Sequence, residues 1–280
     1  MISCLEYVEK RKEELKAKVA NLEKRKPCLS VVQIGNDKAS SSYINSKKKL
    51  CEEIGIDFKH IHIENYEDMR GRDIIPIILE ESTDSHVDGV ILQLPIPDKF
   101  NLKSLQKSIY FDKDVDGFRE GSNFTPCTPK GIMDWLDYNN YDLEGKNVTV
   151  IGRSNIVGRP LVNLLIDKGA TVTCCNSKTR DLKQHTCNAD VVISAVGKAK
   201  FLDSSYFTNT ELVIDVGINR DENDKLCGDV DYEDVTSNLE NIYVTPVPKG
   251  VGRLTTLALV ENTINAYLAK RNIGRKWINE

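Results

Sequence analysis

Short apolar runs alternate with longer amphipathic or charged stretches along the whole chain. Residues 5–22 form a highly charged helical stretch, and residues 29–34 form an apolar strand closed by the turn signal Gly35-Asn36-Asp37. Residues 40–54 read as a helix, with Ser40, Ser41 and Ser42 as candidate caps and Gly55 as its stop. Residues 58–63 alternate at period two, which predicts a strand. Residues 73–81 keep a helical pattern despite Pro76, which either sits in the first turn or breaks the helix. An apolar strand over 87–94 runs into Pro95 and Pro97, and a short helix follows over 102–109. Strand, helix, strand, helix and strand in that order predict a parallel sheet with helical crossovers.

A polar, turn-rich passage from Gly117 to Pro129 is the best linker. Beyond it, a helix is expected over 131–138, a strand over 148–151 and a helix over 159–168. Further strands are expected over 171–175, 191–196, 212–216 and 242–244. A loop over 245–253 leads to a last helix over 255–271, placed to pack back on the first lobe. This second series reads as a Rossmann-like lobe. The predicted fold class is therefore α/β with two lobes, each with its own parallel sheet, and no internal repeat is visible.

Composition narrows the classes. At 280 residues the chain is long enough for two cores, and 29% charged with 40% hydrophobic residues is ordinary for a globular protein. A net charge of −4 argues against a broad basic face for nucleic acid. The first ten residues carry charge where a signal peptide needs an apolar core, and no run approaches the ~18 apolar residues of a membrane span. Eight cysteines show no C-x-x-C spacing, so no metal site is expected, and the usage fits a reducing cytoplasm.

Several segments have residue types that suit chemistry. Val148-Thr-Val-Ile-Gly152 drives an apolar strand into a glycine, and Gly158 opens a helical pattern. A strand, tight turn and helix N-terminus present backbone N–H groups and a favourable dipole to a phosphate. Arg153 and Ser154 in that turn offer a guanidinium and a hydroxyl for an additional phosphate. The spacing is not G-x-G-x-x-G, and a plain turn remains the alternative. Tyr43 and Lys47 lie four apart on one helix face, near Leu50 and Ile54, where a lysine loses solvation and its pKa falls. Against this stands a solvated Lys47-Lys48-Lys49 run. Gln93 ends an apolar strand, either as a site amide or as a satisfied core glutamine. Asp114 and Asp116 precede Gly117 as either a site pair or a turn, without the further ligands of a calcium loop. Thr245-Pro-Val-Pro-Lys-Gly-Val-Gly-Arg253 is a stiff, then flexible loop, whose Gly250 and Gly252 allow close backbone approach to a ligand.

Taken together, these pieces resemble the bifunctional methylenetetrahydrofolate dehydrogenase/methenyltetrahydrofolate cyclohydrolase family. The matching segments are Tyr43-Ile-Asn-Ser-Lys47, Asp88-Gly-Val-Ile-Leu-Gln-Leu-Pro95, Lys113-Asp-Val-Asp-Gly-Phe118 and Pro126-Cys-Thr-Pro129. They continue with Gly152-Arg-Ser-Asn-Ile-Val-Gly158, Asn176-Ser-Lys-Thr179, Ala195-Val-Gly197, Asp215-Val-Gly-Ile-Asn219 and Gly228-Asp-Val230. The resemblance spans almost the whole chain, with the motifs in the family's order.

It implies a folate-binding catalytic domain, residues 1–120 with 255–280, and an NAD(P)-binding domain, residues 121–254, with the active site in the cleft between them. Lys47 would be the catalytic lysine, Gln93 the amide that sets its position, and Tyr43 a ring stacked on the aminobenzoate. Asp116 would bond the pterin edge, with Leu94, Pro95, Gly250 and Val251 lining the folate. Gly152, Arg153, Ser154, Ile156, Val157, Gly158, Ser177, Ala195, Val196, Gly197 and Ile218 would hold NADP, with Arg153 and Ser177 on its 2′-phosphate. The implied partners are tetrahydrofolate derivatives and a second copy of the chain; nucleic acid, membrane and metal are not expected. Where the family reads Pro-Gly-Gly-Val-Gly-Pro-Met-Thr, this chain has Pro248-Lys-Gly-Val-Gly-Arg-Leu-Thr255. Lys249 stands where a glycine serves positive φ or close approach, and Arg253 adds a charge. Three outcomes stay open: both activities, a cyclohydrolase with weakened dehydrogenase, or a non-catalytic binding paralogue.

Overall fold

The computed structural model describes residues 2–270. The chain divides into two compact units, one of Met1–Glu9 with Thr128–Thr255, the other of Lys10–Cys127 with the chain from Thr256 on. Helices α1 (Cys4–Ala20) and α9 (Val251–Ala269) contribute to both.

The unit of Lys10–Cys127 holds a three-stranded sheet. Strands β1 (Cys28–Ile34), β2 (Asp57–Ile63) and β3 (Gly89–Leu92) pair in the order β2-β1-β3, all parallel. Six of the seven residues of β1 are buried, as the central strand of a sheet covered on both faces requires. Helices α2 (Lys38–Ile54) and α3 (Gly71–Thr83) make the two crossovers, and the short α4 (Leu102–Gln106) follows β3. Val32, Ile34, Ile74, Ile78, Val90 and Leu92 lie in its apolar core.

Several local details differ from the sequence expectation. The cap of α2 is Asp37, whose carboxylate accepts from Ser40 N at 2.7 Å; Ser40, Ser41 and Ser42 all lie inside the helix. Gly55 ends it in the left-handed region at φ 93°, its N–H bonded to Cys51 O, as predicted. Pro76 neither opens nor breaks α3: it sits in the second turn, and burial of Ile74 and Ile78 on one face carries the helix through the lost hydrogen bond. β3 stops at Leu92, so Gln93 follows the strand, though its N–H still bonds Val32 O at 2.8 Å.

The unit of Thr128–Thr255 is built on β4 (Asn147–Ile151), β5 (Thr171–Cys175), β6 (Val191–Ser194), β7 (Leu212–Asp215) and β10 (Tyr243–Val244). The order β10-β7-β6-β4-β5 is wholly parallel. From β4 the chain steps to β5 on one side and returns to β6 on the other, so β4 and β6 flank a topological switch point. Helices α5 (Cys127–Tyr138), α6 (Gly158–Asp167), α7 (Leu182–Cys187) and α8 (Tyr232–Asn238) complete it, with an antiparallel ribbon of β8 (Asn219–Arg220) and β9 (Leu226–Cys227). α5 begins inside the passage read as linker, with Pro129 in its first turn, where a missing N–H costs nothing. α9 begins at Val251 rather than 255, and its expected end at 271 lies outside the described residues. Among the described residues no helix is long and apolar enough to cross a membrane, and no cluster of three metal-ligating side chains occurs.

Candidate functional site

Two places gather the residues singled out from sequence, one in each unit.

In the three-stranded unit, α2 has Ile44, Cys51 and Ile54 buried, which leaves Lys47 half-buried on the neighbouring stripe. Lys47 Nζ donates to Gln93 Oε1 at 2.7 Å. The amide is itself held: Gln93 is 6% exposed, and its Nε2 donates to Leu94 O at 2.6 Å, which turns Oε1 toward the lysine. Ser40, buried in the first turn of α2, adds a bond to the same Leu94 carbonyl at 3.3 Å. The sequence marks Ser40 only as a candidate cap, and its place three residues before Tyr43 is the available signal for more.

Burial lowers the Lys47 pKa, while Asp116 and the thiols of Cys127 and Cys51 oppose that shift. Burial pushes the Asp116 carboxyl up to about 6, opposed by Lys47, reinforced by Asp114, and eased by a bond with the Cys127 thiol. A base and an acid are thus both drawn toward neutrality in one desolvated spot, the condition for proton transfer at ordinary pH. The two aspartates divide the work. Asp114 forms the turn, its Oδ2 accepting from Arg119 N at 2.8 Å and its carbonyl from Gly117 N and Ser122 Oγ. Asp116 is left to face Lys47. Cys127, which the sequence reading passed over, lies beside it with Sγ donating to Val115 O at 3.2 Å. Tyr43, 40% exposed, presents its ring one helical turn before Lys47. Leu94 and Pro95 follow Gln93 directly and are joined by a cis peptide bond.

In the five-stranded unit, Gly152 follows β4 at φ 120°, a backbone only glycine adopts without strain. A Cβ there would meet Ala195 O at 2.4 Å, and one on Gly158 would meet Gly152 O at 2.1 Å. The turn is drawn tight against the loop after β6, which brings Gly152–Gly158 and Ala195–Gly197 together at the switch point. Ser154 Oγ accepts from Val157 N at 3.2 Å and Gly158 N at 3.4 Å, capping the first turn of α6 and leaving its own proton available to a ligand. Ile156 and Val157 are half-buried in this turn, and Arg153 is exposed. Ser177 lies exposed in the loop after β5, the strand beside β4. A glycine-tightened turn at a helix N-terminus, flanked by a guanidinium and hydroxyls, fits a dinucleotide phosphate.

Ile218, 46% exposed, follows β7, and its Cδ1 is 3.7 Å from where a Cβ on Gly252 would stand. Gly250 and Val251 belong to this unit, in the turn into α9. The close approach at Gly250 is made by the chain itself: a Cβ there would lie 2.2 Å from Pro246 O. Lys249 does occupy a positive φ, 80°.

A parallel-sheet unit with a phosphate-type turn at its switch point, joined in one chain to a unit carrying a desolvated lysine–glutamine–aspartate group, defines a dinucleotide-dependent enzyme of two α/β units. The comparisons name the family. Residues 2–116 match the catalytic-domain model, and residues 126–271 the NAD(P)-binding-domain model, of tetrahydrofolate dehydrogenase/cyclohydrolase. The chain belongs to that family. The bifunctional protein FolD of Agathobacter rectalis is 44% identical across 91% of this chain and 94% of that one; that of Bacillus subtilis is 40% identical across 98% and 99%. Among solved structures, the bifunctional FolD methylenetetrahydrofolate dehydrogenase/cyclohydrolase of Campylobacter jejuni superposes with a TM-score of 0.90 at 40% identity, covering 96% of this chain and 98% of its own. The Trypanosoma brucei enzyme, complexed with NADP and an inhibitor, gives a TM-score of 0.87 at 26% identity, with 98% of each chain covered.

Proposed function

We propose that this chain oxidises 5,10-methylenetetrahydrofolate to the methenyl form with NADP and then hydrolyses that product to 10-formyltetrahydrofolate. The observation that carries this is the Lys47–Gln93 contact beside Asp116, in a chain of this family. Residues 1–120 with 255–280 would form the folate side, and 121–254 the dinucleotide side.

Bound NADP supplies a hydride acceptor. The oxidation asks little of the protein beyond orientation, which Tyr43 gives by stacking on the aminobenzoate ring and Asp116 by bonding the pterin edge. Leu94, Pro95, Gly250 and Val251 line the folate. Hydrolysis asks for proton movement. Water adds to the methenyl carbon, its proton passes to Lys47, and the carbon–nitrogen bond to N5 breaks as that nitrogen gains a proton. Desolvation supports this role, because it raises the share of neutral Lys47 amine. Gln93 holds Nζ in place through the step.

Gly152, Ile156, Val157, Gly158, Ala195, Val196, Gly197 and Ile218 would form the dinucleotide surface, with Ser154 donating to phosphate. Arg153 and Ser177 would take the 2′-phosphate, which makes NADP the cofactor over NAD. A homodimer through the dinucleotide side and a cytoplasmic location follow from the family resemblance; a monomer in sedimentation velocity would refute the first.

The test follows absorbance of purified protein with 5,10-methylenetetrahydrofolate and either NADP or NAD, and a parallel run from the methenyl compound. NADP-dependent oxidation together with accelerated methenyl decay supports the proposal. Methenyl decay alone favours a cyclohydrolase whose dehydrogenase is weakened, a reading that the Lys249 side chain at positive φ in the turn before α9 supports. Silence in both runs leaves a binding paralogue. Arg153→Ala should raise the KM for NADP by about 10-fold, the scale of one charge-assisted phosphate contact, and leave NAD within about twofold. Equal effects on the two cofactors would remove Arg153 from the phosphate.

A further inference from the structure

Behind the loop that follows β6 lies a carboxylate that the proposed mechanism does not use. Asp229 is fully buried, and four uncharged donors converge on it. Its Oδ2 accepts from Ser194 Oγ at 2.9 Å and Val196 N at 2.8 Å; its Oδ1 accepts from Lys198 N and Asn219 Nδ2, both at 2.9 Å. A second buried carboxylate holds the first. Asp215 Oδ1 accepts from Asp229 N at 3.0 Å and Gly217 N at 2.9 Å, and its Oδ2 from Val230 N at 2.9 Å. Two glycines make room: a Cβ on Gly217 would lie 2.3 Å from Asp229 Oδ1, and one on Gly228 would lie 1.8 Å from Asp215 Oδ2.

This arrangement costs desolvation of two carboxylates, which an apolar filling would avoid. What it secures is the shape of two loops. Val196 N and Lys198 N are turned inward to one carboxylate, so the peptide between them bulges outward at Gly197, φ 68°. Asn219 is fixed by the same group, and with it the adjoining exposed Ile218. Ala195, in the loop so held, is the residue whose carbonyl packs on Gly152 in the turn before α6.

We propose that Asp229 is a positioning residue for the dinucleotide: it touches no ligand, but sets the Ala195–Lys198 loop and Ile218 in the shape that receives the cofactor. This rests on the dinucleotide role proposed above for that unit. Asp229→Asn keeps the volume but sets an NH₂ against two donors, so one side of the cluster must open.

The experiment measures steady-state kinetics of full-length wild type and Asp229→Asn, with NADP binding followed directly by calorimetry. The variant should raise the KM and Kd for NADP by about 10-fold or more, with kcat at saturating NADP, the KM for methylenetetrahydrofolate and the cyclohydrolase rate within about threefold. A merely structural role would lower both activities in parallel, through the active fraction, and leave the KM for NADP alone; that result overturns the proposal. If Asp229→Asn does not fold, Ser194→Ala and Asn219→Ser each remove one donor and should raise the KM for NADP by about twofold to fivefold. An unchanged KM in both also overturns it. Wild type that binds no NADP refutes the dinucleotide role itself, and this inference with it, whereas normal wild-type binding with an unaltered variant refutes this inference alone.

Discussion

The two sites in this chain are made of different materials. The site in the three-stranded unit is made of side chains whose charge is under tension: Lys47 driven toward neutrality by burial, Asp116 pushed up to about 6, and Gln93 between a lysine and a carbonyl. The site in the five-stranded unit is made of backbone, with glycines at Gly152 and Gly158 that leave no room for a Cβ. Its buried carboxylates act on main-chain N–H groups and hold shape. Chemistry that moves a proton needs a tuned pKa, whereas holding a rigid, multiply charged ligand needs fixed donors and close approach. The first site should therefore fail by the loss of a titrating group at constant shape, and the second by any change, charged or not, that shifts its backbone.

The sharpest break is expected at Lys47. Lys47→Met keeps length and apolar character and removes the proton carrier. Cyclohydrolase activity should fall by at least about 100-fold, the low end of what a positioned acid or base supplies, while NADP affinity stays within about twofold. Surviving hydrolysis would show that another group moves the proton.

Gly152→Ala tests the other site with one methyl and no charge. At φ 120°, and with Ala195 O 2.4 Å from the new Cβ, the turn must open. About 3 kcal/mol of stability should be lost in urea unfolding, together with NADP binding. Unchanged stability would mean that the turn relaxes freely, and the contrast between the sites would weaken.

A smaller effect separates charge from shape by pH. The Asp116 pKa is raised on folding, so the folded state favours its protonated form, and the ionised carboxylate destabilises the protein above about pH 6. That destabilisation is complete above pH 6 and is relieved as pH falls toward the unfolded value of about 3.9. Asp116→Asn should then be more stable than wild type at pH 8, by about 2 kcal/mol, and the gap should close by about pH 4. In wild type the cyclohydrolase rate should fall as pH drops through about 6, where Asp116 gains a proton and no longer offers the pterin edge a carboxylate. A constant stability gap from pH 8 to 4 would show that Asp116 is not titrating in that window.

The sequence shows these two materials unequally. Every strand of both parallel sheets was legible: inner strands such as β1 are covered on both faces and read as plain apolar runs, while the edge strand β2 shows itself by period-two alternation. Strand ends were less so: Gln93 and Val196 continue apolar runs but lie beyond β3 and β6, where neighbouring strands stop pairing. α7 and α8, six and seven residues long, are too short to show a helical period. At the proton-moving site, Tyr43 and Lys47 share a face by spacing alone, but nothing in spacing brings Gln93 or Asp116 to them; that pairing entered through the family resemblance. Asp215 and Asp229 were invisible as a buried pair, since Asp215 only closes an apolar strand and an aspartate directly after a glycine, as at Gly228-Asp229, reads as a turn. Only the close packing of Gly217 and Gly228 on those carboxylates reveals why the glycines are there.

The turn into α9 holds the contrast at the scale of two adjacent residues. Lys249 has φ 80°, and the conformation costs an L-residue about 1–2 kcal/mol, while its side chain is exposed. Gly250 is buried, and its hydrogen faces Pro246 O, where a Cβ would lie at 2.2 Å. The chain has thus placed a side chain at the position where only backbone strain opposes it, and kept glycine where a neighbouring carbonyl does. Lys249→Gly relieves the strain but loosens the unfolded chain by about 0.4–1 kcal/mol, so the net gain in stability should be only about 0.5–1 kcal/mol. Gly250→Ala, one residue on, should lose stability by more than Lys249→Gly gains, because a carbonyl rather than solvent meets the new methyl. Urea midpoints of the two variants decide it. A loss at Lys249→Gly would mean that the lysine side chain contributes more than its backbone costs, and the turn would then owe its shape to charge after all.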